Sequence, residues 1–578
     1  MDFTPLEQLQ DFVAELLARR RAIEGQDDEE LTLVYARALL LHALVRPALD
    51  DFPAQVVVIG PTQSGKSTVV NLLLGREAAQ ASPLAGFTRH AQGFSPRPVD
   101  DRLRAALDSL LPDLRRTDPA ALDPEHLDQY ALTEVPGADP FLTPPPLCWD
   151  TPDFDSVNSR HYRSVVPLLG ALADVLVLVV SREKYADQAV WETLRLLCEV
   201  PRRLVVCVNK VGEAQRAELE AVVRDKFAQE GIATAALHTL PYLSGAPFDA
   251  LLAAAGPLRE ATAEAARAAP PTLGARELQA FLQRHWLEWT APLRREHAAD
   301  AAWRGLVDAA LAEAREVYER DYLRNPDYGD TLQRAMVQLL ELLEVPGLAA
   351  GLARLRQAIT WPARTLGGLL KRQGPSAEQT ARDNEAEVVT AAVQHALVQL
   401  QHQAAEEASG EGPSAPWWQT LWRALNERRR PLEADLAERI TAHQRDFAPH
   451  IRDAAQRMYR HLQQSPATLN SLRAARVTAD AAAVAVALKT GGIGLNDLVL
   501  APAMLSFSSL LAETAVGRYM RTVEAELKET QMQSVQTHVL DPLREALLAL
   551  PARMDDARRY GIDAERLARA DAALEALA

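Results

Sequence analysis

A short glycine-rich segment constrains this chain more than any other feature. Residues 60–67 read Gly-Pro-Thr-Gln-Ser-Gly-Lys-Ser, which matches the pattern G-x-x-x-x-G-K-[ST]. The apolar run at residues 56–59 predicts a buried strand before it, and residues 66–74 predict a helix after it. A strand that turns through glycines into a helix N-terminus directs backbone N–H groups at a phosphate chain. The sequence therefore predicts a phosphate-binding loop in an α/β domain.

The residue types in this loop each have a chemical role. The Lys66 ammonium can reach the β- and γ-phosphates of a nucleotide, and the Ser67 hydroxyl can bind Mg²⁺. The partial positive charge of the helix N-terminus adds attraction for phosphate. The other nucleotide contacts predicted in the loop are Gly60, Gln63, Ser64, Gly65 and Thr68. The predicted cofactors are therefore a nucleoside triphosphate and Mg²⁺.

Apolar runs and amphipathic stretches alternate along residues 51–268. The apolar runs predict strands at residues 56–59, 146–149, 175–180, 204–208 and about 234–243. The amphipathic stretches predict helices at residues 66–74, 161–172, 186–199 and 213–230. Alternation of this kind predicts a mainly parallel sheet with helices on both faces.

Residues 272–578 have a different composition, rich in Ala, Leu, Glu, Arg and Gln, which are good helix formers. Strand signals nearly vanish there, and widely spaced prolines and glycines divide the sequence into long helical stretches. We expect a large all-α bundle or stalk. Residues 1–50 also predict helices, which we expect to pack on this bundle or on the α/β domain.

The overall charge and the cysteine content restrict the partners. The net charge of −16 argues against nucleic-acid binding, because phosphate contacts require an excess of Lys and Arg. The three cysteines form no CxxC pair and no Cys/His cluster, so neither a disulfide framework nor a zinc site is indicated. The first residues lack the features of a signal peptide, and no uninterrupted run of about 20 apolar residues predicts a transmembrane helix. We therefore expect a cytoplasmic protein.

Three segments after the loop occur in an order typical of GTPases. Thr88, in Gly-Phe-Thr-Arg, lies 22 residues after Lys66. Residues 148–153, Cys-Trp-Asp-Thr-Pro-Asp, follow an apolar run and are similar to the motif D-x-x-G. Residues 208–212, Val-Asn-Lys-Val-Gly, are similar to N-K-x-D. On these residues, the segment from about 53 to 255 resembles the Era/TrmE and dynamin-like branch of P-loop GTPases.

The resemblance implies a metal site and a switch. Thr88 would complete Mg²⁺ coordination when the γ-phosphate is present, and Asp150 would hold the ion through a water, beside the Ser67 hydroxyl. Asp153 replaces the glycine whose N–H senses the γ-phosphate. Its own N–H can still contact the nucleotide, but its carboxylate is unfavourable beside a polyanion unless it turns away, so γ-phosphate sensing and the rate of hydrolysis stay open. Gln63 or a switch residue is expected to orient the attacking water. The predicted catalytic residues are Lys66, Thr88 and Gln63.

The resemblance also implies a base-recognition loop. Asn209 would brace the loop and contact the base, and the Lys210 stem would stack on the purine. The Asp that accepts the guanine N1–H and amine is Gly212 here, which weakens discrimination against adenine. We expect Glu213 to substitute for it from a shifted backbone. Backbone contacts to the base are implied for Ser244 and Gly245. GTP is the predicted nucleotide, with ATP as the alternative.

Two segments of the helical region have unusual compositions. Residues 345–377 lack Asp and Glu and contain Arg354, Arg356, Arg364, Lys371 and Arg372. Residues 480–513 contain two apolar arms around a turn with three glycines, and each arm is too short to span a bilayer. The first segment is typical of a helix that binds an anionic membrane surface, and the second could form an apolar hairpin. The alternative is that both segments pack inside the bundle.

The features together support more than one function. The first is GTP hydrolysis that drives rearrangement of the helical region, in a protein with a dynamin-like layout. Its output would be membrane association or remodelling. The implied partners are a membrane surface and a second copy of the chain, as a homodimer across the GTPase domain. The second is a regulatory NTPase or nucleotide sensor that acts on a protein partner, with slow or absent hydrolysis. A ribosome-assembly GTPase is the third, and the acidic charge disfavours it.

Overall fold

The computed structural model describes residues 4–24, 30–80, 88–153, 164–242, 247–270, 272–324, 330–342, 377–464, 466, 515–554 and 559–577. The chain divides into two compact units. The first contains Met1–His297 and Asp556–Ala578, and the second contains Ala298–Asp555. A β-sheet with its covering helices makes up most of the first unit, and the described part of the second unit is helical.

The first unit is built on one sheet. Its described strands are β1 Gln55–Ile59, β2 Ala91–Ser95, β3 Arg115–Arg116, β4 Gln129–Glu134, β5 Leu147–Asp150, β6 Val175–Ser181, β7 Arg203–Val211 and β8 Ala236–Pro241. Their order across the sheet is β3-β4-β2-β5-β1-β6-β7-β8. Among these strands β2 and β5 pair antiparallel, and every other pair is parallel. The prediction of a mainly parallel sheet is confirmed.

The described helices are numbered along the whole chain. They are α1 Thr4–Glu24, α2 Leu31–Val45, α3 Lys66–Leu74, α4 Asp101–Leu110, α5 Val165–Leu172, α6 Gln188–Leu197, α7 Arg216–Glu230, α8 Phe248–Ala254, α9 Gly256–Ala268, α10 Ala275–Tyr318, α11 Asp330–Leu342, α12 Ala377–Ser409, α13 Ala415–Gln463, α14 Ala515–Val535, α15 Asp541–Leu548 and α16 Ala564–Glu575. Short π-helical turns follow α10 and α14, at Glu319–Leu323 and Gln536–Leu540. The long helices confirm the prediction of a helical region after the sheet.

β1 lies in the interior of the sheet because its residues 56–59 place apolar side chains on both faces. All five of its residues are buried. Val58 pairs with Asp150 of β5 on one side and with Val177 of β6 on the other. Parallel strands end at the same edge of a sheet, so the segments after β1, β5 and β6 meet there. This edge carries the candidate site.

The strands β2, β3 and β4 and the helix α4 were not predicted. β2 reads Ala-Gln-Gly-Phe-Ser and β4 reads Gln-Tyr-Ala-Leu-Thr-Glu, so neither forms a continuous apolar run. They lie on the side of β5 away from β1, where strands bury fewer apolar side chains. Pairing with a neighbouring strand, rather than local apolar sequence, defines these elements.

α2 packs against helices that cover the sheet, and α1 packs against α2 and α16. α2 lies against α4 and α5, and the Tyr35 hydroxyl donates a hydrogen bond to the Leu197 carbonyl at 3.0 Å. Among the described residues, Leu31–Ala48 is the one stretch long and apolar enough to cross a membrane by composition, and half of it is buried inside the protein. Its buried side, which includes Leu33 and Leu39, forms part of the core. The observed packing is that of a core helix.

The division between the two units falls inside α10. The first part of α10 is held in the first unit by its aromatic face. Trp286 packs on Phe12 of α1, with ring centroids 5.4 Å apart, and its indole N–H donates to Asp571 of α16 at 2.6 Å. Trp289 donates to the Thr32 hydroxyl of α2 at 3.0 Å. These contacts bring both ends of the described chain into the first unit.

A buried polar cluster divides the core of the second unit. The Glu385 carboxylate accepts hydrogen bonds from the Tyr318 hydroxyl at 3.0 Å and from the Gln531 amide, and it pairs with Arg334 at 3.5 Å. His443 Nε2 lies 3.2 Å from the same carboxylate. On α13, Ile440 belongs to one apolar cluster and Phe447 to another, with His443 between them.

The two unusual segments of the helical region lie outside the described residues. This holds for the apolar stretch 480–513 and for the basic segment 345–377 except its last residue. Their proposed roles therefore stay predictions.

Candidate nucleotide-binding site

The glycines of the phosphate-binding loop are required by close packing. The loop leaves β1 at Gly60, where a Cβ atom would collide with the Val179 carbonyl oxygen of β6. Gly65 adopts φ of 96°, and a Cβ there would collide with the Asn209 amide. Gln63 also adopts a left-handed backbone, with φ of 59°. The turn therefore brings the start of α3 directly against β6 and β7.

The Lys66 side chain turns back into the loop. It is 5% exposed, and its ammonium donates to the Gly60 carbonyl at 3.0 Å and to the Pro61 carbonyl at 3.2 Å. Its third partner is the Asp153 carboxylate, which is also buried. This places the charge of Lys66 inside the loop, where a phosphate oxygen would have to lie.

Ser67 and Asp150 form a hydroxyl–carboxylate pair at the C-terminal end of β5. The Ser67 hydroxyl donates to Asp150 Oδ2 at 2.6 Å. Asp150 is 2% exposed, and its Oδ1 has no hydrogen-bond partner within the described part of the chain. Burial raises the pKa of Asp150 to about 6, against the lowering effects of the Ser67 hydrogen bond and the Lys66 charge.

These two residues suit a Mg²⁺ ion. A buried carboxylate oxygen without a donor is costly, and a divalent cation beside it would compensate that cost. The described residues contain no group of three or more His, Cys, Asp or Glu that could hold a metal. A Mg²⁺ ion in a nucleotide site does not require such a group, because it takes one or two protein ligands together with phosphate oxygens and waters.

The turn after Asp150 is anchored to the central strand. The Thr151 hydroxyl donates to the Val58 carbonyl at 2.8 Å and is fully buried. This bond directs the next residues, Pro152 and Asp153, towards the loop. Neither the Thr151 anchor nor the pairing of Asp153 with Lys66 was predicted. The signal for the pairing is the carboxylate at the glycine position of the motif, which can pair with a lysine as well as repel a phosphate.

Thr88 lies on the edge of the sheet that carries the loop. The antiparallel register pairs Gln92 of β2 with Asp150 of β5, so the chain before β2 continues beyond the C-terminal end of β5. Thr88, four residues earlier, is half-buried. Its predicted contact with Mg²⁺ stays a prediction, and residues 81–87 before it lie outside the described chain.

Asn209 and Lys210 connect the end of β7 to the phosphate-binding loop. The Asn209 amide donates to the Ser64 carbonyl at 2.9 Å, and its Oδ1 accepts from the Lys210 N–H at 2.8 Å. The Lys210 ammonium donates to the Gln63 carbonyl at 2.8 Å. The register with β8 shifts between Val208 and Val211, where Lys210 adopts φ of 59°. This geometry gives Asn209 a bracing contact with the loop.

Gly212 leaves open space where the family motif has a carboxylate. A Cβ atom at this position would approach only the Gln215 side-chain oxygen, at 3.8 Å. The side chain of Glu213 and residues 243–246, which include Ser244 and Gly245, lie outside the described part of the structure. The identity of the group that reads the base edge is therefore a prediction.

One family model matches part of the first unit. Residues 55–210 match the model of the family described as 50S ribosome-binding GTPase. The matched range contains the phosphate-binding loop, Asp150 and the Asn209–Lys210 pair, and it ends before Gly212. The resemblance of this segment to P-loop GTPases is confirmed. No curated protein matches the chain.

Several solved structures are similar over most of the chain. Two are described as an oligomerised bacterial dynamin pair that provides a mechanism for long-range sensing and tethering of membranes. The first shares 13% identity over 93% of this chain and 90% of its own, with a TM-score of 0.35. The second shares 12% identity over 95% of this chain and 95% of its own, with a TM-score of 0.33. LeoA, a bacterial dynamin GTPase from ETEC, shares 13% identity over 95% of this chain and 100% of its own, with a TM-score of 0.25.

Proposed function

We propose that this protein binds GTP with Mg²⁺ in the loop at residues 60–67 and hydrolyses it to change the conformation of its helical unit. The observation that carries the proposal is the arrangement around Lys66. A buried ammonium inside the loop lies beside a hydroxyl–carboxylate pair that leaves one carboxylate oxygen without a donor. These are the groups that a phosphate chain and its metal ion require.

Each part of the site has a task in binding. Lys66 and the backbone N–H groups at the start of α3 neutralise the phosphates. Ser67 and Asp150 are the residues that would hold Mg²⁺, which supplies charge neutralisation of the phosphate oxygens when bound. Asn209 keeps the loop at the end of β7, so that the base and the phosphates are held by connected elements.

For hydrolysis, the protein has to orient a water and stabilise charge on the γ-phosphate. Lys66 provides the charge. We assign the orientation of water to Gln63 or Thr88. Gln63 follows β1, which ends at this edge, and Thr88 precedes β2, which begins there. Membrane association or remodelling is the proposed output, and its support is the composition of residues 345–377 and 480–513.

A second candidate function is a nucleotide sensor with slow or absent hydrolysis. The buried Asp153 carboxylate favours it, because this residue stands where the family has a glycine next to the γ-phosphate. A negative charge there opposes the build-up of charge on the γ-phosphate oxygens.

Phosphate release from GTP by the purified chain, measured beside equilibrium GTP binding, separates the two functions. Binding with turnover that Lys66→Ala abolishes supports the hydrolase. Binding without turnover supports the sensor. Failure to bind GTP in the presence of Mg²⁺ would contradict both.

A further inference from the structure

The hydrogen-bonding capacity of Lys66 is already filled without a nucleotide. An ammonium group has three protons to donate. Its three acceptors are the Gly60 carbonyl, the Pro61 carbonyl and the Asp153 carboxylate. The two carbonyls belong to the loop itself and stay with Lys66 when the loop keeps its shape. The carboxylate is therefore the partner that a phosphate oxygen has to replace.

The Asp153 carboxylate resembles a phosphate oxygen in charge and in burial. The Lys66 side chain is 5% exposed and that of Asp153 is 8% exposed, so water screens their attraction weakly. A second buried carboxylate, that of Asp150, lies in the same site, where burial and the negative charge of Asp153 raise its pKa. A polyphosphate entering beside both carboxylates would meet strong repulsion unless Asp153 moves away.

We propose that Asp153 is a built-in competitor for the phosphate subsite at Lys66, so that nucleotide binding requires a phosphate oxygen to displace its carboxylate. This inference rests on the proposed function of the same site. It makes Asp153 a residue that sets nucleotide affinity and couples phosphate binding to movement of its own side chain. A ligand without a phosphate at Lys66 leaves the Lys66–Asp153 pair in place.

A purely structural role for the pair makes a different prediction. Removing one partner of a buried ion pair leaves the other charge uncompensated, which destabilises the fold. Under a structural role, loss of the Asp153 charge would lower stability without improving binding. If Asp153 competes with phosphate, the same change frees Lys66 for a phosphate oxygen. The negative charge of the bound nucleotide then compensates the buried Lys66 ammonium in place of the Asp153 carboxylate.

The test compares full-length wild type with Asp153→Asn, which removes the charge at constant size, and Asp153→Gly, which restores the family residue. Asp139→Asn is the matched control, because Asp139 is an ion-paired but exposed aspartate of the same unit, bound to Arg259. Affinities for GDP and for a non-hydrolysable GTP analogue are measured by calorimetry with Mg²⁺, and thermal unfolding is followed without nucleotide.

We expect both Asp153 variants to bind the GTP analogue about tenfold more tightly or better than wild type, because a like charge is removed from the phosphate subsite. The control should bind as wild type does. If both variants bind equally to wild type or more weakly, and wild-type binding still depends on Lys66, the proposed role of Asp153 as a competitor is wrong. The proposed function is then unaffected. Absence of binding in wild type and in both variants overturns both.

Discussion

At the scale of single residues, the ionisation of Asp150 links solution pH to stability and to metal binding. Burial raises the pKa of Asp150 in the folded, ligand-free protein from 3.8 to about 6. The folded state therefore holds this proton more tightly than the unfolded chain does. The stabilising contribution of this proton to the folded state falls as pH rises from about 4 to about 6. At neutral pH this contribution is gone. Mg²⁺ binding requires the charged form and should weaken as pH falls through about 6.

Asp150→Asn should raise the free energy of unfolding of the ligand-free protein at neutral pH by about 1–3 kcal/mol, because a neutral amide avoids burying a charge. The Asn oxygen can still accept the Ser67 hydrogen bond. At pH about 4 the two proteins should unfold alike. Urea denaturation at both pH values measures the difference. A difference of the same size at both values would show that ionisation of Asp150 is not its cause.

Gly212→Asp should increase the preference for GTP over ATP by about tenfold or more, because the new carboxylate can accept the guanine N1–H and amine. The space for it is open at this position. Competition binding with GTP and ATP measures the change, and Gly256→Asp, at another glycine with no atom near its Cβ position, is the control. Unchanged preference in Gly212→Asp, together with loss of GTP preference in Glu213→Ala, would assign the base contact to Glu213.

Part of the candidate site could be predicted from local spacing. Lys66, Ser67 and Asp150 follow from motifs in which a strand ends and a loop begins, so sequence order places them together. The Lys66–Asp153 pair and the Thr151 anchor join residues about 90 positions apart. Such contacts depend on how two loops meet at the sheet edge, and no local pattern encodes that geometry.

At the scale of elements, the strands with continuous apolar sequence were predictable and those without it were not. β1 and β6 are rich in valine and are buried on both faces, which makes a strand the favoured state from sequence alone. β2 and β4 contain polar residues at several positions and are stabilised by pairing with each other. Their existence follows from tertiary structure.

The polar cluster in the helical unit joins side chains of four helices to the Glu385 carboxylate of a fifth, α12. Burial alone would raise the pKa of Glu385, but the hydrogen bond and charge of His443 and the charge of Arg334 hold the pKa below its ordinary value. Glu385 therefore stays ionised and bound to its donors at neutral pH. Its contribution to stability is present above the ordinary carboxyl pKa and is lost as pH falls below it.

Glu385→Ala should lower the stability of the helical unit by about 3–5 kcal/mol, since Arg334 would be left as a buried charge without its carboxylate. Glu433→Ala, which removes an exposed partner of Arg429 on the same unit, should cost about 0.5 kcal/mol or less. Urea denaturation of the full chain compares them. Equal costs would contradict a role for the cluster in stability.

At the scale of the whole molecule, the chain passes between its two units within α10 and again near residue 555. The described C-terminal helix α16 belongs to the same unit as the nucleotide site, where Arg566 pairs with Glu15 of α1 at 2.8 Å. The proposed conformational change therefore concerns a helical unit that is joined to the GTPase-family domain at two points of the chain.

Membrane association makes a prediction for the intact protein. Wild type should co-sediment with vesicles that contain anionic lipid, and replacement of Arg354, Arg356, Arg364, Lys371 and Arg372 by Gln should abolish this, because each basic residue contributes about 1 kcal/mol of attraction. Replacement of Arg428, Arg429 and Arg430 by Gln is the control, since it removes another basic run from the same unit. Equal binding by the first variant and wild type, or no binding by wild type, would favour a protein partner.

The central claim is that Lys66 and its loop bind the phosphates of a nucleotide. Equilibrium binding of GTP with Mg²⁺ to wild type, Lys66→Ala and Lys226→Ala tests it most directly, because Lys226 is a surface lysine of the same unit that pairs with Glu230. Wild type and Lys226→Ala should bind alike, and Lys66→Ala should bind at least about tenfold more weakly through the loss of a charge-assisted contact. Unchanged affinity in Lys66→Ala would contradict the assignment of the site.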